Sequence, residues 1–242
     1  MGKQYWRGGN MLYPVPAVMV SCGRPEEKPN IITVAWAGTV CSSPAMVSIS
    51  VRKERYSYDI LKETGEFVIN LITRDLTYAT DFCGVRSGRD VDKFAQMHLT
   101  PLPSQHISAP GIAESPVNLE CKVTQVIPLG SHDMFLAEVL GVTVDEKYMD
   151  VNGKFHLNDA GLVAYSHGEY FELGEKLGKF GYSVAKKQAA KTESVTKSAK
   201  PSGAGKKAAS AENRTASKTG AGNRRKSASK TGSADKQKSR RK

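Results

Sequence analysis

Ile31–Val51 reads IITVAWAGTVCSSPAMVSISV, a run of 21 residues without a single charge. That length meets the requirement of a membrane span. Its content does not: Ser42, Ser43, Pro44, Ser48 and Ser50 read as strand, turn, strand. This places the protein among soluble folds with no membrane partner. The same grammar continues outward. Ala17–Cys22, Ile31–Trp36, Ala45–Val51, Phe67–Ile72, Val117–Ile127 and Phe135–Val144 are rich in Val, Ile, Thr and aromatic residues. Turn residues bound them at Gly23–Asn30, Ser42–Pro44 and Pro128–Asp133. Many short strands without long intervening helices predict a mainly β fold, an antiparallel barrel or sandwich. Two short helices interrupt it. Tyr58–Thr64 has Ser57 as its N-cap candidate and Gly65 where a closing glycine belongs, and Leu76–Phe82 is the second. A polar loop, GVRSGRD, and a turn around Asp92–Met97 follow.

The chain has 242 residues and a formal net charge of +11, which allows one large or two small domains. The charge is unevenly placed. Ala185–Lys242 holds 18 Lys+Arg against 3 Asp+Glu, a net +15, whereas the first 184 residues hold 17 against 21, a net −4. A basic nucleic-acid-binding fold is thereby excluded for the body. The tail is built of Lys, Arg, Ala, Ser, Thr and Gly, with no aromatic residue and with Val195 as its only branched apolar one. Such a segment cannot bury enough surface to offset its ordering entropy, so residues 185–242 are expected to be disordered. TASKTGAGNRRK at Thr215–Lys226 and SASKTGSADKQK at Ser227–Lys238 repeat with a period too short for a solenoid. GAGKK at Gly203–Lys207 lacks P-loop spacing.

Cys22, Cys41, Cys83 and Cys121 form no CxxC pair, and four cysteines are too few for a disulfide scaffold. They read as free thiols in a reducing cytoplasm. No signal-peptide pattern opens the chain, since Pro14 and Pro16 break its short apolar stretch. The histidines have no metal spacing, so no metal site is expected, and GxSxG, HExxH and a body GxGxxG are absent. What remains is Arg52-Lys53-Glu54-Arg55-Tyr56-Ser57 running into a helix start. Unpaired N–H groups, a positive dipole end, two guanidiniums and a hydroxyl suit a phosphate; the same residues also read as a solvated strand end with an ordinary cap. Trp36 reads as core or rim packing, and His132, in a GSHD turn, as a solvated histidine.

In order and spacing, these segments resemble the flavin reductase-like, flavoredoxin-type family. The resemblance rests on Pro14-Val15-Pro16, Asn30–Trp36, Ser42-Ser43-Pro44, Ser48–Val51, Arg55-Tyr56-Ser57-Tyr58 and Glu63–Leu71. Phe82-Cys83-Gly84, Ser87–Phe94, Leu119-Glu120-Cys121, His132 with Phe135–Val139, Leu173-Gly174-Glu175 and Gly178–Ser183 extend it over nearly all of residues 1–184 and none of the tail. The resemblance implies an FMN-binding split β-barrel, usually a homodimer with two flavin sites near the interface, as domain 1–184. It implies cofactor contacts at Asn30, Thr33, Trp36, Ser50, Arg55, Ser57, Lys93, His132 and Tyr165, the last often Phe in relatives. Arg55 and Ser57 match the phosphate segment, Thr33 and Trp36 the ring-lining strand, and Lys93 and His132 positions near the flavin. Lys93 or His132 would be the cation beside the ring's N1–C2=O edge, and His132 is the one catalytic candidate.

The function this implies is a cytoplasmic FMN oxidoreductase, with FAD the less favoured cofactor. It would take hydride from NAD(P)H at flavin N5 and pass electrons to a small-molecule or protein acceptor. One alternative is an electron carrier of the flavoredoxin kind that uses no nicotinamide. Another is a non-catalytic flavin-fold module tethered to nucleic acid by the tail. With no aromatic to stack on bases, the tail's binding to a polyanion would be phosphate-driven and non-specific. A truncation ending at Val184 is therefore expected to keep its flavin and to lose the low-salt retardation of duplex DNA that the full chain shows. Equal retardation by both proteins, or retardation that survives high salt, would leave the tail as a solubilising extension. Release of the flavin would show that the boundary is misplaced.

Overall fold

The computed structural model describes residues 1–185; beyond Ala185 the expected basic tail lies outside the described residues. In chain order the strands and helices are β1 (Val15–Pro16), β2 (Val18–Cys22), β3 (Asn30–Val34), β4 (Ala37–Ser42), β5 (Ala45–Arg52), α1 (Tyr56–Thr64), β6 (Glu66–Leu71), α2 (Thr77–Val85), α3 (Lys93–Gln96), β7 (Pro101–Leu102), β8 (Gly111–Ile112), β9 (Val117–Pro128), β10 (His132–Val144), β11 (Val163–Ser166) and β12 (Glu169–Glu172). Seven of them form one antiparallel sheet in the order β3-β2-β6-β9-β10-β5-β4. A three-stranded sheet, β1-β11-β12, and the small β7-β8 pair complete the strands. The fold is mainly β and antiparallel with a few short helices, as the sequence predicts.

β3 and β4 lie at opposite edges of the seven-stranded sheet, yet only Ala35 and Trp36 separate them in the chain. The sheet must curl until its edges meet, which makes it a barrel. The period-2 alternation of its strands fills the interior. Val18, Val20, Ile32, Val34, Val47, Ile49, Val51, Phe67, Ile69, Cys121, Phe135 and Ala137 point inward, and Ile60 and Leu61 of α1 pack with them. On the other face of β2 and β3, Met19 and Ile31 join a second core with Leu76, Ala79 and Cys83. β2 is therefore buried along its whole length.

Several boundaries differ from the sequence reading for physical reasons. The strand expected to end at Trp36 ends at Val34, because Ala35-Trp36 must turn the chain across the seam. β4 was not expected: its exposed Thr39 and Val40 and its Gly38 carry little strand signal, and pairing with β5 makes the strand. β1, β11 and β12 were also missed, being too short to show a pattern. α1 begins at Tyr56 with Arg55 at the cap position, so Ser57 is not the N-cap but sits buried inside the first turn. Gly65 does close α1 in the left-handed region at φ 64°. The second helix is a 3-10 turn at Arg74–Leu76 followed by α2. The turn near Asp92 is the short helix α3, capped by Asp92, whose side chain accepts from the Ala95 N–H. All four cysteines are free, three of them buried, and no helix among the described residues is long and apolar enough to cross a membrane.

Phe135 is fully buried and meets the Tyr58 ring edge-to-face at 5.8 Å. Phe135→Ala is expected to destabilise the fold by about 3–5 kcal/mol in urea unfolding. Val142→Ala, on the exposed part of the same strand, is expected to cost under about 0.5 kcal/mol.

Candidate functional site

The barrel does not zip completely. Among the described residues β3 pairs with β2 alone, so no strand covers its outer edge. Along that edge run two adjoining cavities. The first, about 450 Å³, lies at the Trp36 end between β3, Ser50 and Arg52 of β5, His132 and Tyr165. The second, about 490 Å³, lies at the Asn30 end between β3, the start of α1, the Arg86–Arg89 loop and Lys93. Ile32, Arg52 and Arg55 line both, so the two form one elongated groove.

The nine residues singled out in the sequence all line this groove. Thr33, Trp36, Ser50, His132 and Tyr165 line the first chamber, Asn30, Ser57 and Lys93 the second, and Arg55 both. Two of them spend their polar groups on the scaffold. The Thr33 hydroxyl donates to the Thr80 carbonyl of α2. The Asn30 amide donates to Ser57 Oγ at 2.7 Å, which ties β3 to α1. Arg52, expected in the basic run before the helix start, lines both chambers. Sequence reasoning left Arg86 and Arg89 unassigned in their polar loop, although a glycine between polar residues was a signal. A Cβ at Gly88 would meet the Asn30 amide oxygen and come within 2.6 Å of Tyr56 Cδ1, so only glycine lets this loop close on the helix start. Asn10, which also lines the first chamber, had no sequence signal at all.

The two chambers differ in charge. The second is lined by Arg52, Arg55, Arg86, Arg89 and Lys93 against the single carboxylate of Glu54. Arg89 stands over the Tyr56 ring at 5.5 Å and donates to the Glu54 carbonyl, which holds its guanidinium at the rim. Lys93 is 3% exposed and donates to the carbonyls of Ile31 and Cys83 at 2.6 and 2.7 Å, leaving one of its three N–H bonds uncommitted. Burial, offset in part by the Cys83 and Cys22 thiols, pushes its pKa from 10.5 down to about 8. Burial likewise pushes both thiols up to about 11, so they stay protonated and inert. Lys53, two residues before Arg55, lies elsewhere. It is 54% exposed and stands 3.4 Å from buried Asp133. The Tyr58 hydroxyl, donating at 2.6 Å, is the main reason Asp133 is held below the usual carboxylate range.

The first chamber is aromatic, and its charged side chains are Arg52 and Arg55, which it shares with the second. Trp36 and Tyr165 flank it, each against Tyr13, with ring centroids 6.3 and 6.2 Å apart. His132 shares a hydrogen bond with Ser131 Oγ at 2.9 Å through Nδ1. Burial first, then Arg52, lowers its pKa below the ordinary 6.5, so the ring is uncharged at neutral pH. Lys93, the other residue expected beside the ring, is the more deeply buried of the two. Among the described residues no group of three His, Cys, Asp or Glu side chains is placed to hold a metal ion.

Residues 10–174 match the Flavin reductase like domain family. Flavoredoxin of Desulfovibrio vulgaris (Miyazaki F) superposes with a TM-score of 0.70 at 33% identity, covering 76% of this chain and 100% of that one. Flavoredoxin from Methanosarcina acetivorans superposes at 0.67 over the same shares, 76% and 100%, at 24% identity, a likeness of fold. An uncharacterized protein of Archaeoglobus fulgidus is 32% identical over 160 residues, 66% of this chain and 88% of that protein.

Lys93 gives the groove a measurable pH signature. Between pH 8 and 10.5 the unfolded chain holds the Lys93 proton and the folded one does not, so the Lys93 contribution to stability rises with pH across that window. The buried thiols, raised from 9.0 to about 11, act in the opposite sense above pH 9. Urea unfolding at pH 7.5 and 9, with no anion bound, is therefore expected to show the protein gaining stability relative to Lys93→Met, which keeps the same thiols.

Proposed function

The chain belongs to the flavin reductase like domain family, and from that premise we propose that it is a cytoplasmic flavoprotein oxidoreductase with FMN in the seam groove. The observation that carries this is the groove's gradation: an aromatic chamber, whose charged side chains are the Arg52 and Arg55 it shares with its neighbour, opens directly into one lined by five cations and a single carboxylate. FMN has that form, an apolar tricycle joined by a polar chain to a phosphate dianion. The residues present fit it. Arg55, Arg86 and Arg89 can bond the phosphate through charge-assisted N–H groups. Lys93 turns its uncommitted N–H to the same chamber, and α1, whose cap position carries no side-chain cap bond, adds unpaired backbone N–H groups. Trp36 and Tyr165 provide the flat wall, and the free edge of β3 offers alternating donors and acceptors to the ring's polar rim. Bound flavin supplies the redox chemistry, so the chain needs no nucleophile. Its own task is to hold, orient and partly exclude water. Neutral His132 can donate from one ring nitrogen while Ser131 fixes the other. A single cationic chamber favours FMN over FAD.

The proposal includes a homodimer. Met46, Ser48, Ser50, Met134 and Leu136 alternate with the inward residues of β5 and β10, forming a half-buried outer face that is uncharged at its centre, with Glu138 and Arg52 at its two ends. Ser50 belongs to both this face and the groove.

NAD(P)H is the proposed reductant. The second reading, electron transfer without nicotinamide, is favoured by the 33% identity to a flavoredoxin. Anaerobic titration with NADH and NADPH decides: bleaching of the visible flavin band supports the reductase, and a band untouched by either supports the carrier. For the groove itself, Arg55→Ala is expected to weaken FMN binding about ten- to a hundredfold, the loss of one charge-assisted contact of ~1.5–3 kcal/mol. Lys53→Ala, remote from the cavities, is expected to leave FMN affinity within about twofold. Equal dissociation constants in fluorescence titration would remove the assignment of Arg55.

A further inference from the structure

The small sheet β1-β11-β12 brings three tyrosines together beside the first chamber. Val15 pairs with Tyr165 across β1 and β11, and Tyr165 with Tyr170 across β11 and β12. Tyr13, just before β1, stands 6.3 Å from Trp36 and 6.2 Å from Tyr165, ring centre to ring centre. Tyr165 and Tyr170 meet edge-to-face at 5.6 Å. At such separations the ring edges are close to van der Waals contact. Trp36, Tyr13, Tyr165 and Tyr170 therefore form a continuous row. Its inner members, Trp36 and Tyr165, line the chamber. At its outer end the Tyr170 hydroxyl donates at 3.3 Å to the carboxylate of Asp81, an exposed residue of α2. Burial first, then Asp81, pushes the Tyr170 pKa up to about 12, so at neutral pH the phenol keeps its proton. His167 flanks Tyr13 at 5.9 Å, but its imidazole is harder to oxidise than a phenol and adds no step. A cluster that served packing alone would be equally well built of Phe. Here all four rings are oxidisable, and the last has a base at its hydroxyl.

Resting on the flavoprotein reading above, we propose that this row of rings is a one-electron relay that carries oxidising equivalents from the flavin chamber to the surface. The oxidant is an oxygen-centred radical, formed where a reduced flavin meets dioxygen. It takes one electron from Trp36. Tyr13 refills Trp36, Tyr165 refills Tyr13, and Tyr170 refills Tyr165. As Tyr170 gives up its electron its O–H bond breaks, and the proton passes to Asp81. The sum is one oxidant reduced by one electron, one Tyr170 phenol oxidised to a neutral phenoxyl radical, and one Asp81 carboxylate protonated. A thiol in solution then returns a hydrogen atom to Tyr170, and Asp81 releases its proton to water. Because Tyr170 has a proton acceptor in place, it is the easiest of the four rings to oxidise, and the vacancy settles there. Trp36, which flanks the chamber, is thereby spared.

The relay is read without flavin. Trp6→Phe in the full chain leaves Trp36 as the sole tryptophan of a chain that has two. Pulse radiolysis with the azide radical, which prefers indole to phenol, then oxidises Trp36, and transient absorption follows the vacancy. The indolyl signal is expected to convert to phenoxyl at a rate independent of protein concentration. Tyr13→Phe, which keeps the ring and removes only its hydroxyl, is expected to slow the conversion tenfold or more. Tyr170→Phe and Asp81→Asn are each expected to cut the phenoxyl yield to half or less. Tyr78→Phe, at an exposed position outside the row, is expected to leave rate and yield within twofold. A rate unchanged in Tyr13→Phe, a rate proportional to protein concentration, or a yield unchanged in either Tyr170→Phe or Asp81→Asn overturns the relay. Its task is read in FMN-loaded protein cycled between dithionite and air, with Trp36 oxidation measured by peptide mass spectrometry. Tyr13→Phe is expected to accumulate oxidised Trp36 at least threefold faster than the parent, and equal accumulation overturns the protective role. Conversion as expected in a protein that binds no FMN leaves the relay standing and sinks the flavin reading.

Discussion

Two residues, Ala35 and Trp36, bridge what would be the full width of a sheet. Seven strands spaced about 4.8 Å apart span roughly 29 Å when flat. Three consecutive peptide links, from Val34 to Ala37, reach about 11 Å at most. The chain resolves the conflict by rolling the sheet up. It does so without pairing β3 to the opposite edge. The seam that remains is aromatic at its Trp36 end and cationic at its Asn30 end. The groove is a consequence of barrel closure, and the residues that line it do so because they flank the seam in the chain or in space.

The Asn30 end collects charge for a related reason. β5 runs out of the barrel at Arg52, past the last inward residue, Val51, and its next residues are free of the core. From there the backbone turns into α1, bringing Arg55 and the helix start to the same spot. Lys53 and Arg55 share parity along an extended chain, but Lys53 is drawn to Asp133 and Arg55 to the groove, where it donates to the Gly84 carbonyl at 3.3 Å. Asp133 itself is fixed by Tyr58 from α1. The helix thus sets both the partner that removes Lys53 and the cap position that presents Arg55.

Much of this was legible in the sequence, and the failures share a cause. β5, β6 and β9 announce themselves because inward Val, Ile and Phe carry a pattern that needs no neighbours to be read. Gly65 was legible because a left-handed residue is a local property. β4, β11 and β12 were not, because they exist only through pairing with β5 and with one another. Ser57 was assigned to the cap from its neighbours in sequence, but its partner is Asn30, 27 residues earlier. Of the nine groove residues, Arg55 and Ser57 were legible from local chemistry, as a basic run entering a helix start, and the other seven were placed by a resemblance. Arg86 and Arg89 escaped because a charged residue in a loop looks the same whether it faces solvent or a ligand.

Lys93 shows what such long-range placement accomplishes. An ammonium this deep is costly, and the two carbonyls that receive it offset only part of the desolvation, which is why its pKa falls to about 8. A group so poised is sensitive to whatever enters the chamber. An anion nearby restores the charged form, so above pH 8 its binding must draw a proton onto Lys93, and below pH 8 it need not. The guanidiniums at the rim, always charged, attract an anion at any pH. Lys93 alone couples its arrival to protonation, because only it is buried enough to have lost part of its hold on the proton.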